Sequence, residues 1–177
     1  RTALPAPARC SDPRPAQARA VIAVRAATSA DLDTVVVLEL EVFTGTAWSP
    51  RAVEDEFTGL GGTRGIWLAE EVTADATTAV GYAVGRFVDG VADVQRVAVL
   101  PSRRRHGVGR RLLDEVEGEA TRRGCHRVML EVGADNAAAC SLYEQTGFSV
   151  IDRRRRYYPG GVDALVMSKP LTPEGAR

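Results

Sequence analysis

The 177-residue chain contains a single lysine, Lys169, only two histidines and only three cysteines. With one lysine and no Gly-Lys-Ser/Thr, a Walker phosphate loop is excluded, because that loop needs the lysine to reach the nucleotide phosphates. His106 and His126 stand apart from paired acids and thiols, so no zinc site is expected. Cys10, Cys125 and Cys140 are odd in number and lack metal-ligand spacing, which reads as reduced thiols in the cytoplasm, Cys140 being a small core residue. No stretch approaches the ~20 apolar residues of a membrane span. Arginine plus lysine balances aspartate plus glutamate at 23 each, so bulk charge argues against direct nucleic-acid binding.

The two signs are nevertheless segregated. Asp31, Asp33, Glu39, Glu41, Glu54, Asp55 and Glu56 come early, whereas the arginine clusters follow residue 100. That distribution suggests two faces with different partners, the acidic one suited to an incoming cation.

Residues 1–20 hold Pro5, Pro7, Pro13 and Pro15 among Ala and Arg with no apolar period, and are read as a tail or linker. Ordered structure is expected from Val21, with a strand over 21–25, a helix starting near Thr28 and running to about Phe43, and a second helix over 50–58 behind the N-cap Ser49 and Pro50. A loop is expected over 59–65. Strands are then read at 66–71, 79–88 and 92–99, a Leu-rich helix closed by Arg122, Arg123 and Gly124, a strand at 127–132, a helix at 136–146 ended by Gly147, and two last strands at 148–153 and 162–169. Arg153 to Arg156 with Tyr157-Tyr158-Pro159-Gly160-Gly161 are assigned to the turn between those two strands. The order β-α-α-β-β-β-α-β-α-β-β describes an α/β (α+β) domain over 21–171 with a mixed, mostly antiparallel sheet, followed by a short tail at 172–177.

One stretch stands out: Arg103-Arg104-Arg105-His106-Gly107-Val108-Gly109-Arg110-Arg111 opens a helix with cations, where the helix dipole favours anions. Gly107 and Gly109 let a ligand approach the free N–H groups of that helix start. A dinucleotide turn would need a third glycine where Leu112 stands, so a Rossmann reading fails. Arg-x-x-Gly-x-Gly before a Leu-rich helix by itself is also compatible with a solvated basic loop. In context it resembles the pyrophosphate loop of the GNAT superfamily of N-acetyltransferases. Arg96-Val97-Ala98-Val99 before it, then Leu130-Glu131-Val132, Asp135-Asn136 and Leu142-Tyr143-Glu144 through Gly147-Phe148, follow in that superfamily's order and spacing. The segments MLEVGADNAAACSLYEQTGF and RRRRYYPGGVDALVMSKPL, with Ala47-Trp48-Ser49-Pro50, are similar to RimI-type ribosomal-protein alanine N-terminal acetyltransferases.

The resemblance implies a GNAT fold, acetyl-coenzyme A as cosubstrate and no metal. Its cofactor residues would be Val97, Ala98, Val99, Arg104, Arg105, His106, Gly107, Val108, Gly109, Arg110, Asn136 and Tyr143. Glu131 would be the general base, its pKa raised in a partly apolar cleft, with Asp93 the rival; pairing of Glu131 with Arg127 or Arg96 is the alternative use of that carboxylate. Tyr143 would be the general acid toward the departing thiolate, or simply a core tyrosine. Asn136 can cap its helix and touch the cofactor at once. Trp48, Asp93, Tyr157 and Tyr158 would contact the substrate, Tyr157 and Tyr158 being better candidates for peptide contact than the arginines of the same loop, for each of which a solvated hairpin tip is an equal reading. The implied partner is a protein or peptide N-terminus, such as that of small-subunit ribosomal protein eighteen, acted on in the cytoplasm by a monomer or weak dimer. Lysine side chains, polyamines or a small-molecule amine are alternative acceptors, and a non-catalytic acyl-coenzyme A-binding module is the alternative of another class. Gly133, where RimI-type sequences usually carry Arg, and His106 are departures from the family pattern.

Overall fold

A computed structural model describes residues 20–171; the expected tails at 1–20 and 172–177 lie outside the described residues, Ala20 apart. The order of elements is the one expected: β1 (Val21–Ala26), α1 (Leu32–Val42), α2 (Pro50–Thr58), β2 (Arg64–Val72), β3 (Thr77–Val88), β4 (Val91–Val99), α3 (Val108–Arg122), β5 (Arg127–Gly133), α4 (Ala137–Gln145), β6 (Ser149–Tyr158) and β7 (Val162–Pro170). The strands form one seven-stranded sheet in the order β1-β2-β3-β4-β5-β7-β6. β4 and β5 are parallel, as the α3 crossover between them requires, and every other neighbouring pair is antiparallel. Among the described residues no helix is long and apolar enough to cross a membrane.

Strand alternation sends side chains to two cores, one on each face of the sheet. Tyr82, Val84 and Ala98 meet Val35, Leu38 and Val53 of α1 and α2 on one face. On the other, Ala83, Val94, Val128 and Leu130 meet Val108, Leu112, Leu113 and Val116 of α3, together with Tyr143 of α4. Both sides of the central strands are thus covered, and their near-continuous apolar runs follow from that.

Two expected boundaries move. Arg64 and Gly65, assigned to a loop, extend β2 by pairing with Arg86 and Gly85, and the ring of Trp67 lies where a Cβ on Gly65 would stand. Arg153 to Tyr158 belong to β6 rather than to a turn, and the reversal contracts to Pro159–Gly161. β6 is an edge strand bonded only to β7, so its arginines stand in water at no desolvation cost while blunting the free edge. A register shift between Arg154 and Tyr158, with Arg156 at φ 52°, bends the end of that strand.

The start of α1 is fastened by Asp31, whose buried carboxylate accepts from Thr28 N–H at 2.8 Å and from both Nη atoms of Arg25 at 2.9 and 2.8 Å. The Arg25 guanidinium, with Thr28 assisting, holds this carboxyl well below the usual carboxylate range against the opposing effect of burial. A folded-state value below the unfolded one means stability present above the unfolded pKa and lost as pH falls through the folded one. Asp31→Asn should therefore lower stability near pH 7 by about 1 kcal/mol, a figure discounted because Arg25 is 43% exposed. Thermal melts between pH 6 and pH 2 should show wild type losing its advantage over the variant below about pH 4; parallel curves would contradict this role.

Candidate active site

The parallel ladder between β4 and β5 runs from Val91↔Arg127 only as far as Val94↔Leu130. Immediately beyond, Val84 pairs with Arg96 and Gly85 with Val94, so Gln95 is an extra residue that bends β4 away from β5. Leu100 N–H donates to Val80 C=O at 2.9 Å on the β3 side, and strand alternation turns the polar groups of Ala98 the same way. Those of Val97 and Val99 consequently point into the opening, where Arg104 Nε donates to Val99 C=O at 3.2 Å. Of the three β4 residues named from sequence, Ala98 is thus turned away, its side chain fully buried against α1.

A cavity of about 560 Å³ adjoins this opening and is lined by ten of the residues expected there: Val97, Val99, Arg104, Arg105, Gly107, Val108, Gly109, Arg110, Asn136 and Tyr143. Gly107 is the N-cap of α3 at φ 77°, a left-handed conformation that a side chain would strain, and nothing lies within 4 Å of where its Cβ would be. Gly109 sits against Leu142 of α4, whose Cδ2 would be 3.1 Å from an added Cβ, so a side chain there would close the gap between the two helices. The arginines divide by task. Arg103 reaches back to Glu71 at 2.6 Å and Arg111 donates to Ile22 C=O at 2.6 Å, bracing the helix start against β2 and β1. Arg104 and Arg105 are exposed beside the unpaired N–H groups, and His106 is exposed with its Nδ1 2.7 Å from Arg104 C=O. An open mouth, free N–H donors and cations make a site for a polyanion.

Glu131, Asp93, Trp48, Tyr157 and Tyr158 are not among that lining. β5 residues Val128, Leu130 and Val132 face α3, so Met129 and Glu131 face the other side of the sheet. There the Glu131 carboxylate meets Arg154 Nη1 at 2.8 Å, a partner on β6 rather than Arg127 or Arg96, and a guanidinium in place of the expected apolar wall. Arg154 also lies over the Tyr157 ring at 5.3 Å, and Tyr157 packs edge-on against Tyr158 at 5.2 Å. The phenol of Tyr158 is pushed up by burial and then by the charge of Glu131, with Arg96 opposing. Asp93 lies lower, where β4 still pairs with β5 opposite Met129.

On α4, Asn136 caps its helix, accepting from Ala139 N–H at 3.2 Å, and also lines the cavity. Tyr143 is buried edge-on against Phe148 at 5.9 Å, and burial pushes its phenol up to about 12. It therefore keeps its proton at any ordinary pH. The Cys140 thiol, 3.7 Å from Gly133 C=O, is pushed up by burial and by Glu144 and Asp135, the opposite of an activated nucleophile.

A further cluster lies outside the sequence-based assignment. Glu39, assigned to an acidic surface, is 0% exposed and accepts hydrogen bonds from Tyr82, Arg96 and the Trp48 backbone N–H. With Asp31 held by Arg25 and Glu56 by Arg64, the acidic face shrinks to Asp33, Glu41, Glu54 and Asp55. Glu39 is four residues before Phe43 and on the stripe of Val35 and Leu38, a position inside the apolar face of α1 that periodicity alone could have flagged.

The sequence profile described as "Acetyltransferase (GNAT) family" matches residues 34–148. The [ribosomal protein bS18]-alanine N-acetyltransferase of Salmonella typhimurium is 39% identical over 122 residues, covering 67% of this chain and 80% of the relative. The N-alpha-acetyltransferase RimI of Mycobacterium tuberculosis is 35% identical over 154 residues, 84% of this chain and 92% of its own. The crystal structure of the ribosomal-protein-S18-alanine N-acetyltransferase from Escherichia coli superposes with a TM-score of 0.75 at 28% identity, covering 89% of this chain and 99% of that one.

A tyrosinate absorbance titration of wild type minus Tyr143→Phe checks the buried phenol. With a pKa of about 12, the difference signal at pH 11 should be no more than about a tenth of its full value. Half-titration near pH 10 would show the hydroxyl to be freely solvated.

Proposed function

The chain belongs to the acetyltransferase (GNAT) family and is an N-acetyltransferase, and from that premise we propose that it transfers acetyl from acetyl-coenzyme A to the N-terminal α-amine of a protein. The acceptor is small-subunit ribosomal protein eighteen or a protein with a similar N-terminus, met in the cytoplasm. One observation carries the reading. Where β4 leaves β5, a polyanion cradle lies on the α3–α4 face of the sheet, and a carboxylate with two tyrosines lies on the other face. The names of the relatives support the α-amine as acceptor class.

The residues divide as the chemistry requires. Backbone N–H groups at the start of α3 hold the pyrophosphate, with Arg104, Arg105 and Arg110 supplying charge, and the edge of Val97 and Val99 pairs with the peptide-like arm of the cosubstrate. Glu131 takes a proton from the incoming ammonium, directly or through water. Asp93 serves this less well, since it lies where the ladder is still closed. The freed amine attacks the thioester carbonyl carbon, an N–C bond forms, and a β4 N–H faces the oxygen on which charge develops. As the C–S bond breaks, Tyr143 protonates the departing sulfur and recovers a proton through solvent from the nitrogen that becomes the amide. The sum is amide, free thiol and one proton released. No acyl-enzyme is involved, as the raised Cys140 thiol also suggests.

Peptides with free and with blocked α-amines test the acceptor class: the free α-amine should be modified and the blocked peptide left untouched. Equal turnover of the blocked peptide through a lysine would overturn the proposal. Glu131→Gln and Tyr143→Phe should each lower kcat about 100-fold while coenzyme A still binds; wild-type rates in both would remove these assignments. Gly107→Asp should raise the coenzyme A dissociation constant at least about tenfold, because it adds bulk, strain and negative charge to the cradle; an unchanged constant would contradict the phosphate reading.

A further inference from the structure

Glu39 gathers three parts of the molecule onto one carboxylate. Tyr82 of β3 donates its hydroxyl, Arg96 of β4 donates Nε at 3.1 and 3.2 Å together with Nη2, and Trp48 of the segment between α1 and α2 donates its backbone N–H at 2.7 Å. Arg96, 18% exposed at its side chain, lies between two aromatic rings, 3.8 Å from the Phe43 centroid and 4.8 Å from that of Trp48. Its Nη2 also donates to Thr46 C=O at 2.9 Å.

Besides the packing of Phe43 and Trp48 on the α1–α2 core and the Ser49 cap of α2, that segment, residues 43–49, has few ties. Its own ties are Phe43 N–H to Glu39 C=O at 3.0 Å and Thr46 N–H to Phe43 C=O at 3.1 Å, and Gly45 at φ 84° stands free of any neighbour. Arg96 is the residue just past the extra Gln95, at the point where β4 parts from β5. Phe43 lines the cavity, and the charge of Arg96 reaches Tyr158 across the opening. The Glu39–Arg96 pair thus joins the α1–α2 segment to the strand that forms the site's edge.

We propose that Glu39 is a positioning residue for the acceptor: through Arg96 it fixes Phe43 and Trp48 as the wall of the acceptor path. The inference rests on the transferase reading above. A carboxylate is needed because a guanidinium largely withdrawn from water must be balanced, and its two oxygens receive the side chain and the loop N–H together. Loss of the pair frees a wall that an acceptor must find ordered, and so penalises acceptor binding. Phe43 also borders the cavity, but the N–H donors of the cradle belong to α3 and lie outside the network.

Steady-state kinetics and amide hydrogen exchange on full-length Glu39→Gln and Arg96→Lys test this, with Asp31→Asn, which loosens the start of the same helix outside the network, as control. Both network variants should raise the acceptor KM at least about tenfold, change kcat by less than about threefold and leave the acetyl-coenzyme A KM within about twofold. Amides of residues 44–48 should exchange at least about tenfold faster, with those of α3 unchanged. Asp31→Asn should show no such split. An acceptor KM unchanged in both network variants, or shifted equally by Asp31→Asn, overturns the proposal. Should the enzyme use a lysine acceptor, the α-amine reading fails while the split is read on that acceptor. Should wild type turn over no amine, exchange at 44–48 decides alone, and unchanged protection overturns the proposal.

Discussion

The architecture depends on one geometric constraint: β4 must pair with β3 along its whole length but with β5 over only four residue pairs. A backbone edge inside a sheet is ordinarily satisfied by its neighbour, so an unpaired edge is costly unless water or a ligand reaches it. Here Gln95 bends β4 outward, and the polar groups of Val97 and Val99 open onto a cavity instead of a strand. The same parting places α3, which must cross between the two parallel strands, with its N-terminus at the mouth of the opening. Crossover, cradle and exposed edge are consequences of one topology.

Electrostatics then sorts a chain of zero net charge into working parts. Three of the seven early acids are structural partners of arginines, Asp31 with Arg25, Glu39 with Arg96 and Glu56 with Arg64, and Glu71 is likewise paired with Arg103. The Glu39–Arg96 and Glu71–Arg103 pairs link elements distant in sequence, and the other two tie neighbouring elements. What remains free at the start of α3 is a smaller set, Arg104 and Arg105 above all, beside N–H groups that carry the directional part of anion binding. The polyanion site is therefore made by backbone geometry and tuned by a few side chains.

The order of elements and the cradle at the start of α3 were legible because they are written in local chemistry. Glycines at Gly107 and Gly109, the Leu112/Leu113/Val116 stripe and the Asn136 cap depend on neighbours within a turn or two. The surroundings of Glu131 and Glu39 depend on pairings across 20 to 60 positions, which no local pattern encodes. Glu131 meets Arg154, on a strand that sequence assigned to a turn, because four consecutive arginines look like a solvated loop until an exposed edge strand is available to carry them. Glu39 looked like surface because charge was counted along the chain; its place on the apolar stripe of α1 was the better signal.

The Glu131–Arg154 pair shows how these two kinds of interaction differ in consequence. Arg154 is 48% and Glu131 31% exposed at their side chains, so the pair is screened by water and worth at most about 1 kcal/mol. A cation competing for Glu131 has only this one exposed guanidinium, which also lies over the Tyr157 ring, to displace. The Glu39–Arg96 pair is the reverse, with a carboxylate fully withdrawn from water and a partner only 18% exposed at its side chain. A weak, exchangeable pair therefore stands at Glu131, and a buried one stands at the base of the α1–α2 segment. The gradient from exchangeable to fixed charge runs between the two, so a change of partner at Glu131 leaves the buried pair, and with it the fold, in place.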